Sequence, residues 1–312
     1  TDEQRKIIGT AYKKQSRQIA VNHGLEYFSE RMKIIPGEVE KLSAKDNESN
    51  NAEKTFLVHC WRGGMRSGAV AWLLSLYGYK IYLLEGGYKS FRTWALAQFE
   101  KEYSVKVLGG FTGSGKTTIL KELSRRGEKV IDLEGLANHK GSAFGRLGEK
   151  EQPGAEMFEN LLALQLWQIS RNHDGNEETK NDIWVEDESA HIGTVGIPKP
   201  FWRQMRESKL YFLDIPFEER LKNIVKVYGV FEKSSLIDCV LKIQKRLGGL
   251  DTKKTIEFIE GGKTDEAFSI LLKYYDKMYA RSLQKREHIE ALLQKITGDD
   301  TSEKNASLLL GQ

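Results

Sequence analysis

The stretch Gly110-Phe-Thr-Gly-Ser-Gly-Lys-Thr117 decides the fold. It fits G-x-x-x-x-G-K-T, the P-loop pattern. Its flanks suit the pattern: Val105-Lys-Val-Leu-Gly109 reads as a short buried strand and Thr118-Ile-Leu-Lys-Glu-Leu-Ser124 as a helix. Gly110, Gly113 and Gly115, with Ser114 among them, let backbone N–H groups turn inward around phosphate oxygens. The helix that follows adds its positive N-terminal end. Lys116 is placed to reach a terminal phosphate, and Thr117 is the candidate Mg²⁺ ligand. The motif implies a phosphate or polyphosphate ligand and leaves its identity open.

Upstream lies a second loop of the same local form, His59-Cys-Trp-Arg-Gly-Gly-Met-Arg-Ser67. It follows the strand Thr55-Phe-Leu-Val58 and opens a helix over Gly68–Leu76. A cysteine heading such a loop has its thiolate stabilised by backbone amides and the helix dipole. Arg62 and Arg66 add positive charge. Cys60 is therefore the candidate nucleophile, with Arg62 and Arg66 as anion holders. Two chemistries fit: attack on phosphorus, as in cysteine phosphatases, or acceptance of sulfur or selenium, as in rhodanese-type sulfurtransferases. The strand and turn Leu83-Leu-Glu-Gly-Gly87 is typical of rhodanese domains.

Around these loops the chain alternates. Strands are expected at Lys80–Leu84, Lys129–Leu133, Ile183–Glu186 and Leu210–Leu213, with helices between them, an α/β pattern with parallel strands. Residues 1–35 read as helix-rich and 41–54 as an exposed loop. After residue 215 helices are expected at Phe217–Tyr228, Ser235–Leu247, Thr252–Ile259 and Thr264–Ser282, with no further strand and a frayed tail after Thr297. Many Lys and Arg dot these helices and could track an RNA backbone, although for any one of them a solvated face is the simpler reading.

Two further stretches carry polar groups. Ile183-Trp-Val-Glu-Asp-Glu188 resembles a Walker B strand, in which Glu186 or Asp187 would hold Mg²⁺ beside Thr117. The stretch from Asp132 to Gly145 follows an expected strand and is read as a loop facing the ligand crevice. It offers Asp132, Asn138 and His139 as pocket residues.

The chain has 312 residues, 39 % hydrophobic and 29 % charged, with a formal net charge of +4. Two domains are expected, 1–102 and 103–312. Mild basicity permits a nucleic-acid partner without requiring one. Two widely spaced cysteines, Cys60 and Cys239, make no disulfide framework, and with no signal peptide or transmembrane run the expected home is the cytoplasm, away from membranes.

Cys60–Ser67, Gly110–Thr117 and Asp132–Gly145, in this order, make the chain resemble the tRNA 2-selenouridine synthase family, from Gly9-Thr-Ala-Tyr-Lys13 to Tyr274-Tyr-Asp276. The resemblance implies a rhodanese-like α/β domain followed by a P-loop NTPase-like parallel-sheet domain with a helical C-terminal extension. It implies a transferase that replaces sulfur of wobble 2-thiouridine in tRNA by selenium from selenophosphate. The intermediate would be S-geranyl-2-thiouridine made from geranyl diphosphate. Cys60 would carry selenium or assist its delivery, and the P-loop could hold the diphosphate. Both donors are co-substrates, no tightly bound cofactor is expected, and an enzyme that supplies selenophosphate is an expected partner. Relative to the family pattern an opening strand and helix are missing, so an exposed sheet edge is expected near Cys60. Two other functions fit the motifs: a cysteine-dependent phosphatase coupled to a P-loop NTPase, and a P-loop RNA-binding regulator.

Overall fold

The computed structural model describes residues 1–45, 54–171 and 182–310. It divides into two compact units, Thr1–Trp94 and Ala95–Gln312, so the division falls several residues before the expected boundary at 102.

The first unit opens with three helices, α1 (Asp2–Lys14), α2 (Arg17–Met32) and α3 (Ile35–Lys45). Thr1 and Gln4 form a capping box on α1, and the Ser16 hydroxyl accepts the Ile19 N–H at 3.1 Å to start α2. Helix α3 runs to Lys45, so residues 41–45 of the expected loop are helical, and 46–53 lie outside the described residues. Strand β1 (Thr55–Val58), helix α4 (Met65–Leu76), strand β2 (Lys80–Leu83) and helix α5 (Gly87–Gln98) then give the expected β–α–β–α order. The strands pair in parallel, Thr55 opposite Lys80 and Val58 opposite Leu83. Helix α4 buries Ala71, Leu73 and Leu74. Leu57 and Tyr82 are more than half exposed, so among the described residues the two strands are covered only in part.

The second unit holds a five-stranded parallel sheet in the order β4-β5-β3-β8-β9, comprising β3 (Val105–Gly110), β4 (Lys129–Ile131), β5 (Ile183–Glu186), β8 (Lys209–Asp214) and β9 (Leu293–Thr297). A small hairpin, β6 (His191–Ile192) and β7 (Val195–Gly196), stands apart. The central strand β3 is buried along nearly its whole length, which is why it reads as a continuous apolar run. It delivers its carboxyl end to the loop before α6 (Lys116–Arg125). The other helices are α7 (Leu133–Ala137), α8 (Ala155–Arg171), α9 (Lys199–Glu207), α10 (Phe217–Tyr228), α11 (Lys233–Leu247), α12 (Gly249–Glu260), α13 (Thr264–Gln284), α14 (Ile289–Leu292) and α15 (Ala306–Leu310).

Three expectations are corrected. The strand expected over 129–133 ends at Ile131, because Asp132 caps α7 and the expected loop starts as a helix. A strand does follow residue 215: β9 adds to the sheet edge beside β8. The tail is not frayed after Thr297. Ala306 and Leu309 are buried against Ile119, Leu120 and Leu123, and Asn305 Nδ2 donates to the Asp300 carbonyl at 2.8 Å. A separate helical core joins Ile224, Val240, Ile243, Phe268 and Leu271 around Phe144. Cys239 packs there, and burial raises its thiol pKa.

Candidate functional site

The Cys60 loop is built by two crossing turns. Its carbonyls turn outward to α5: Tyr88 N–H donates to the Cys60 carbonyl and Lys89 N–H to that of Trp61, both at 2.9 Å. Gly63 and Gly87 face each other with φ of +62° and +65°. A Cβ on Gly87 would strike the Cys60 carbonyl and the Gly63 nitrogen, so the Gly86-Gly87 turn is the wall on which the loop is moulded.

With its carbonyls engaged, the loop offers N–H groups to the sulfur. Gly64 N–H donates to Cys60 Sγ at 3.3 Å, and the Ser67 hydroxyl lies at the same distance. Burial pushes the thiol pKa up, but the Ser67 hydroxyl and the N–H groups of Gly64, Ser67 and Arg62 together outweigh it and bring it down to about 6. Cys60 is thus largely thiolate at neutral pH, the form that acts as nucleophile. Arg62 and Arg66 are exposed, and among the described residues neither is held in an ion pair. Trp61 lies 5.6 Å from the Tyr88 ring and His59 6.1 Å, so His59 joins an aromatic cluster rather than the thiolate.

The P-loop is held from outside the strand–loop–helix unit that makes it. Arg220 on α10 is buried; its Nη1 donates to the Thr112 carbonyl at 3.1 Å while the guanidinium forks onto Asp276 of α13 at 2.8 Å twice. Asn223 Nδ2 donates to the Gly113 carbonyl at 2.9 Å. Tyr279 of α13 accepts the Gly110 N–H at 3.2 Å and donates to Asp187 at 2.7 Å. Gly115, with φ of +85°, packs against Thr301. These clamps take the loop's carbonyls and leave the N–H groups of Gly113, Gly115, Lys116 and Thr117 without a backbone acceptor among the described residues. Ser114 Oγ is buried with no partner, and Lys116 Nζ is folded onto the Gly110 carbonyl at 2.9 Å. That is an anion cradle with its donors presented.

The acids expected beside it are divided. Strand alternation sends Asp187 to one side and Glu186 and Glu188 to the other. Asp187 is held by Tyr279 and by Arg286 Nη1 at 3.2 Å, away from Thr117. Glu186 accepts the Leu133 N–H at 3.1 Å, and its second oxygen is buried without a partner. Burial, then Asp132 and Glu134, raise its pKa well above the usual carboxylate range. The acids in the field of Lys116 are Glu134 and Glu188. They hydrogen-bond each other, burial raises both pKa values, and Lys116 opposes the rise. Thr117 Oγ1 lies 3.4 Å from Glu134.

Asp132 spends one oxygen on the Gly135 N–H at 2.7 Å as the α7 cap. Asn138 ends that helix in the left-handed region and donates to the Glu151 carbonyl, a turn-forming role. His139 has a buried, unpartnered Nδ1, and burial lowers its pKa. Among the described residues no three His, Cys, Asp or Glu side chains gather as for a metal ion.

Both loops now have the geometry their patterns require, and the comparison with known families separates along the same line. Residues 14–93 match the rhodanese-like domain, and residues 103–299 match the tRNA 2-selenouridine synthase AAA domain. The chain belongs to the tRNA 2-selenouridine synthase family. The tRNA 2-selenouridine synthase of Sulfurovum sp. (strain NBC37-1) is 32 % identical over 91 % of this chain and 82 % of its own length. That of Shewanella frigidimarina (strain NCIMB 400) is 31 % identical over 92 % and 82 %. That of Shewanella sediminis (strain HAW-EB3) is 32 % identical over 92 % and 82 %.

The sequence reading missed Ser67, Asn223, Asp276, Tyr279 and Arg286 as parts of the sites and took Arg220 only as one of many cations. For Ser67 the signal was present, a hydroxyl at the start of the helix that the cysteine loop opens. For the others none was, because each meets its partner across a long stretch of chain.

Proposed function

We propose that the chain is an enzyme of tRNA modification that replaces the sulfur of wobble 2-thiouridine by selenium, in two transfers. In the first, the thiocarbonyl sulfur attacks C1 of geranyl diphosphate. The C–O bond breaks, diphosphate leaves, and the N3 proton passes to solvent. The P-loop amides and Lys116 bind the diphosphate, whose charge grows as the bond breaks, so a fixed cradle of donors favours the transition state. In the second, selenium of selenophosphate attacks C2, the C2–S bond breaks, and the geranylthiolate leaves and takes a proton from solvent. Water then cleaves the P–Se bond to give phosphate. Cys60 is assigned to selenium handling in this second transfer, with Arg62 and Arg66 holding the anionic donor.

The observation that carries this reading is the pairing, in one chain of this family, of a pre-ionised cysteine loop with a P-loop whose Gly113, Gly115, Lys116 and Thr117 amides have no backbone acceptor among the described residues. The spacing from Cys60 to Arg66 also suits a phosphate monoester, which keeps a phosphatase as the second reading. Mass spectrometry of nucleosides from thiouridine tRNA incubated with both donors tests the proposal. Wild type should yield selenouridine, Cys60→Ala only the geranylated nucleoside, and Lys116→Ala neither. Full geranylation by Lys116→Ala would refute the P-loop assignment. Phosphate release from p-nitrophenyl phosphate that Cys60→Ser abolishes, with no modified nucleoside, would favour the phosphatase.

A further inference from the structure

We infer that the outer face of α13 is a docking surface for the phosphate backbone of RNA, through Lys273, Lys277, Arg281 and Lys285. The inference rests on the reading above that the chain acts on tRNA.

The four cations follow one another at i, i+4, i+8 and i+12, so they form a single column along the helix and over its C-cap. At 1.5 Å per residue the column is about 18 Å long with a charge every ~6 Å. All four are exposed, and among the described residues none is ion-paired. Their neighbours on the column are Tyr274, Met278 and Ser282, which carry no charge. The one acid between Ala267 and Arg286 is Asp276, and it is committed to Arg220. Elsewhere in the unit some exposed cations are matched, Lys222 by Glu219 and Lys253 by Glu257, and others such as Lys226, Lys242, Lys245 and Lys254 are not among the described residues; the α13 row differs in running over four successive turns without an acid to pair with.

Like charges one turn apart in a helix repel. A column left unmatched carries that repulsion until a polyanion removes it. The same helix supplies Asp276, beside Lys273, and Tyr279, on the opposite side, which hold the P-loop through Arg220 and the Gly110 N–H. A strand laid along the column therefore lies about one helix diameter, ~10–12 Å, from the loop. That reach suits a nucleotide turned out of its stack, as single-stranded RNA loops allow.

The test compares the full chain with K273Q/K277Q/R281Q/K285Q and with a control, K242Q/K245Q on α11. Binding of thiouridine tRNA is followed by anisotropy across a salt series, and selenouridine formation is measured alongside. Circular dichroism confirms folding, since Lys, Arg and Gln have similar helix propensity. Each lost phosphate contact lowers the slope of log affinity against log salt by roughly 0.7–0.9. The four-site variant should lose about 3 from that slope and bind roughly tenfold or more weakly at ~0.1 M salt. The control should stay within about threefold, the weight of one contact over such a salt range. Unchanged slope and affinity in the four-site variant, or equal losses in both variants, would overturn the surface. If wild type still makes selenouridine in that case, the reaction assigned above survives. Column-dependent RNA binding without any modified nucleoside supports the surface and overturns the reaction instead. A wild type that binds no RNA, or whose column binds phosphatidylserine vesicles and not RNA, overturns the surface.

Discussion

Removing the Ser67 hydroxyl should move the Cys60 titration by a calculable amount. Ser67 is buried, and its Oγ lies 3.3 Å from Cys60 Sγ and 3.1 Å from the Gly64 carbonyl. One hydroxyl has one proton, so it serves the carbonyl beside a neutral thiol and turns to the sulfur when that ionises. A hydrogen bond to a charged group contributes about 1.5–3 kcal/mol. At 1.36 kcal/mol per pKa unit this is about 1–2 units. In Ser67→Ala the thiol pKa should therefore rise from about 6 to roughly 7–8. The assay is the pH dependence of Cys60 carbamidomethylation by iodoacetamide, read on the tryptic peptide, with buried Cys239 as the unreactive internal control. The folded value lies below that of an unfolded cysteine, about 8.5. Between those values the unfolded chain holds the extra proton, so the thiolate's contribution to stability is complete above the window and is lost as pH falls through 6. Wild type should thus melt at lower temperature at pH 5.5 than at pH 8.5 by more than Ser67→Ala does. An alkylation midpoint of 8 or higher in wild type, or no change on substitution, would refute the reasoning.

Other substitutions test the supports of each loop. Arg220→Met leaves Asp276 and the Thr112 carbonyl without their donor, and breaking one side of a buried pair should cost about 3 kcal/mol, read as a lower urea midpoint. Tyr279→Phe strands the Gly110 N–H and removes a donor from Asp187, so a loss of about 1–3 kcal/mol is expected in the same experiment. Gly87→Ala should abolish rapid Cys60 alkylation at pH 7 while α6–α13 keep their cooperative melt, because the added Cβ collides with the loop beneath it. For Glu186 the sign is reversed: its raised folded pKa gives stability that is complete below the unfolded value of about 4.3 and declines as pH rises above it. Glu186→Gln should therefore raise the melting temperature at pH 8 and leave it nearly unchanged at pH 4.

The parts legible in the sequence are those whose signal is local. Val105–Thr117 is a buried strand, a glycine pattern and a helix start in one contiguous run, and Thr55–Ser67 repeats that logic. Strand β9 escaped because it carries one buried residue, Ile296, and sits at the edge, so its residues Leu293-Gln-Lys-Ile-Thr297 lack the apolar run of β3. The tail escaped because Ala306 and Leu309 gain their burial from α6, far away in the chain. The acids of Glu186-Asp-Glu188 could have been read more sharply. Alternation alone places Glu186 and Glu188 on one side and Asp187 on the other. Only the fold shows that Tyr279 and Arg286 wait on the Asp187 side and Lys116 on the Glu188 side.

The two loops share a local form, and they differ in where the negative charge comes from. In the first, the donors already converge on a resident group, and their effect is spent on holding Cys60 as thiolate. A loop of that kind is ready to react and needs only a partner atom, with Arg62 and Arg66 left to hold whatever anion brings it. In the second, the carbonyls are tied back by Arg220 and Asn223, the amides of Gly113, Gly115, Lys116 and Thr117 have no backbone acceptor among the described residues, and Lys116 rests on its own loop. Such a loop stays incomplete until an anion is imported, and the acids next to it are driven toward their neutral forms by burial rather than competing for Lys116. Lys116 must then leave Gly110 to meet the ligand, while Glu134 and Glu188 are hydrogen-bonded to each other. Charge is held in one loop and awaited in the other.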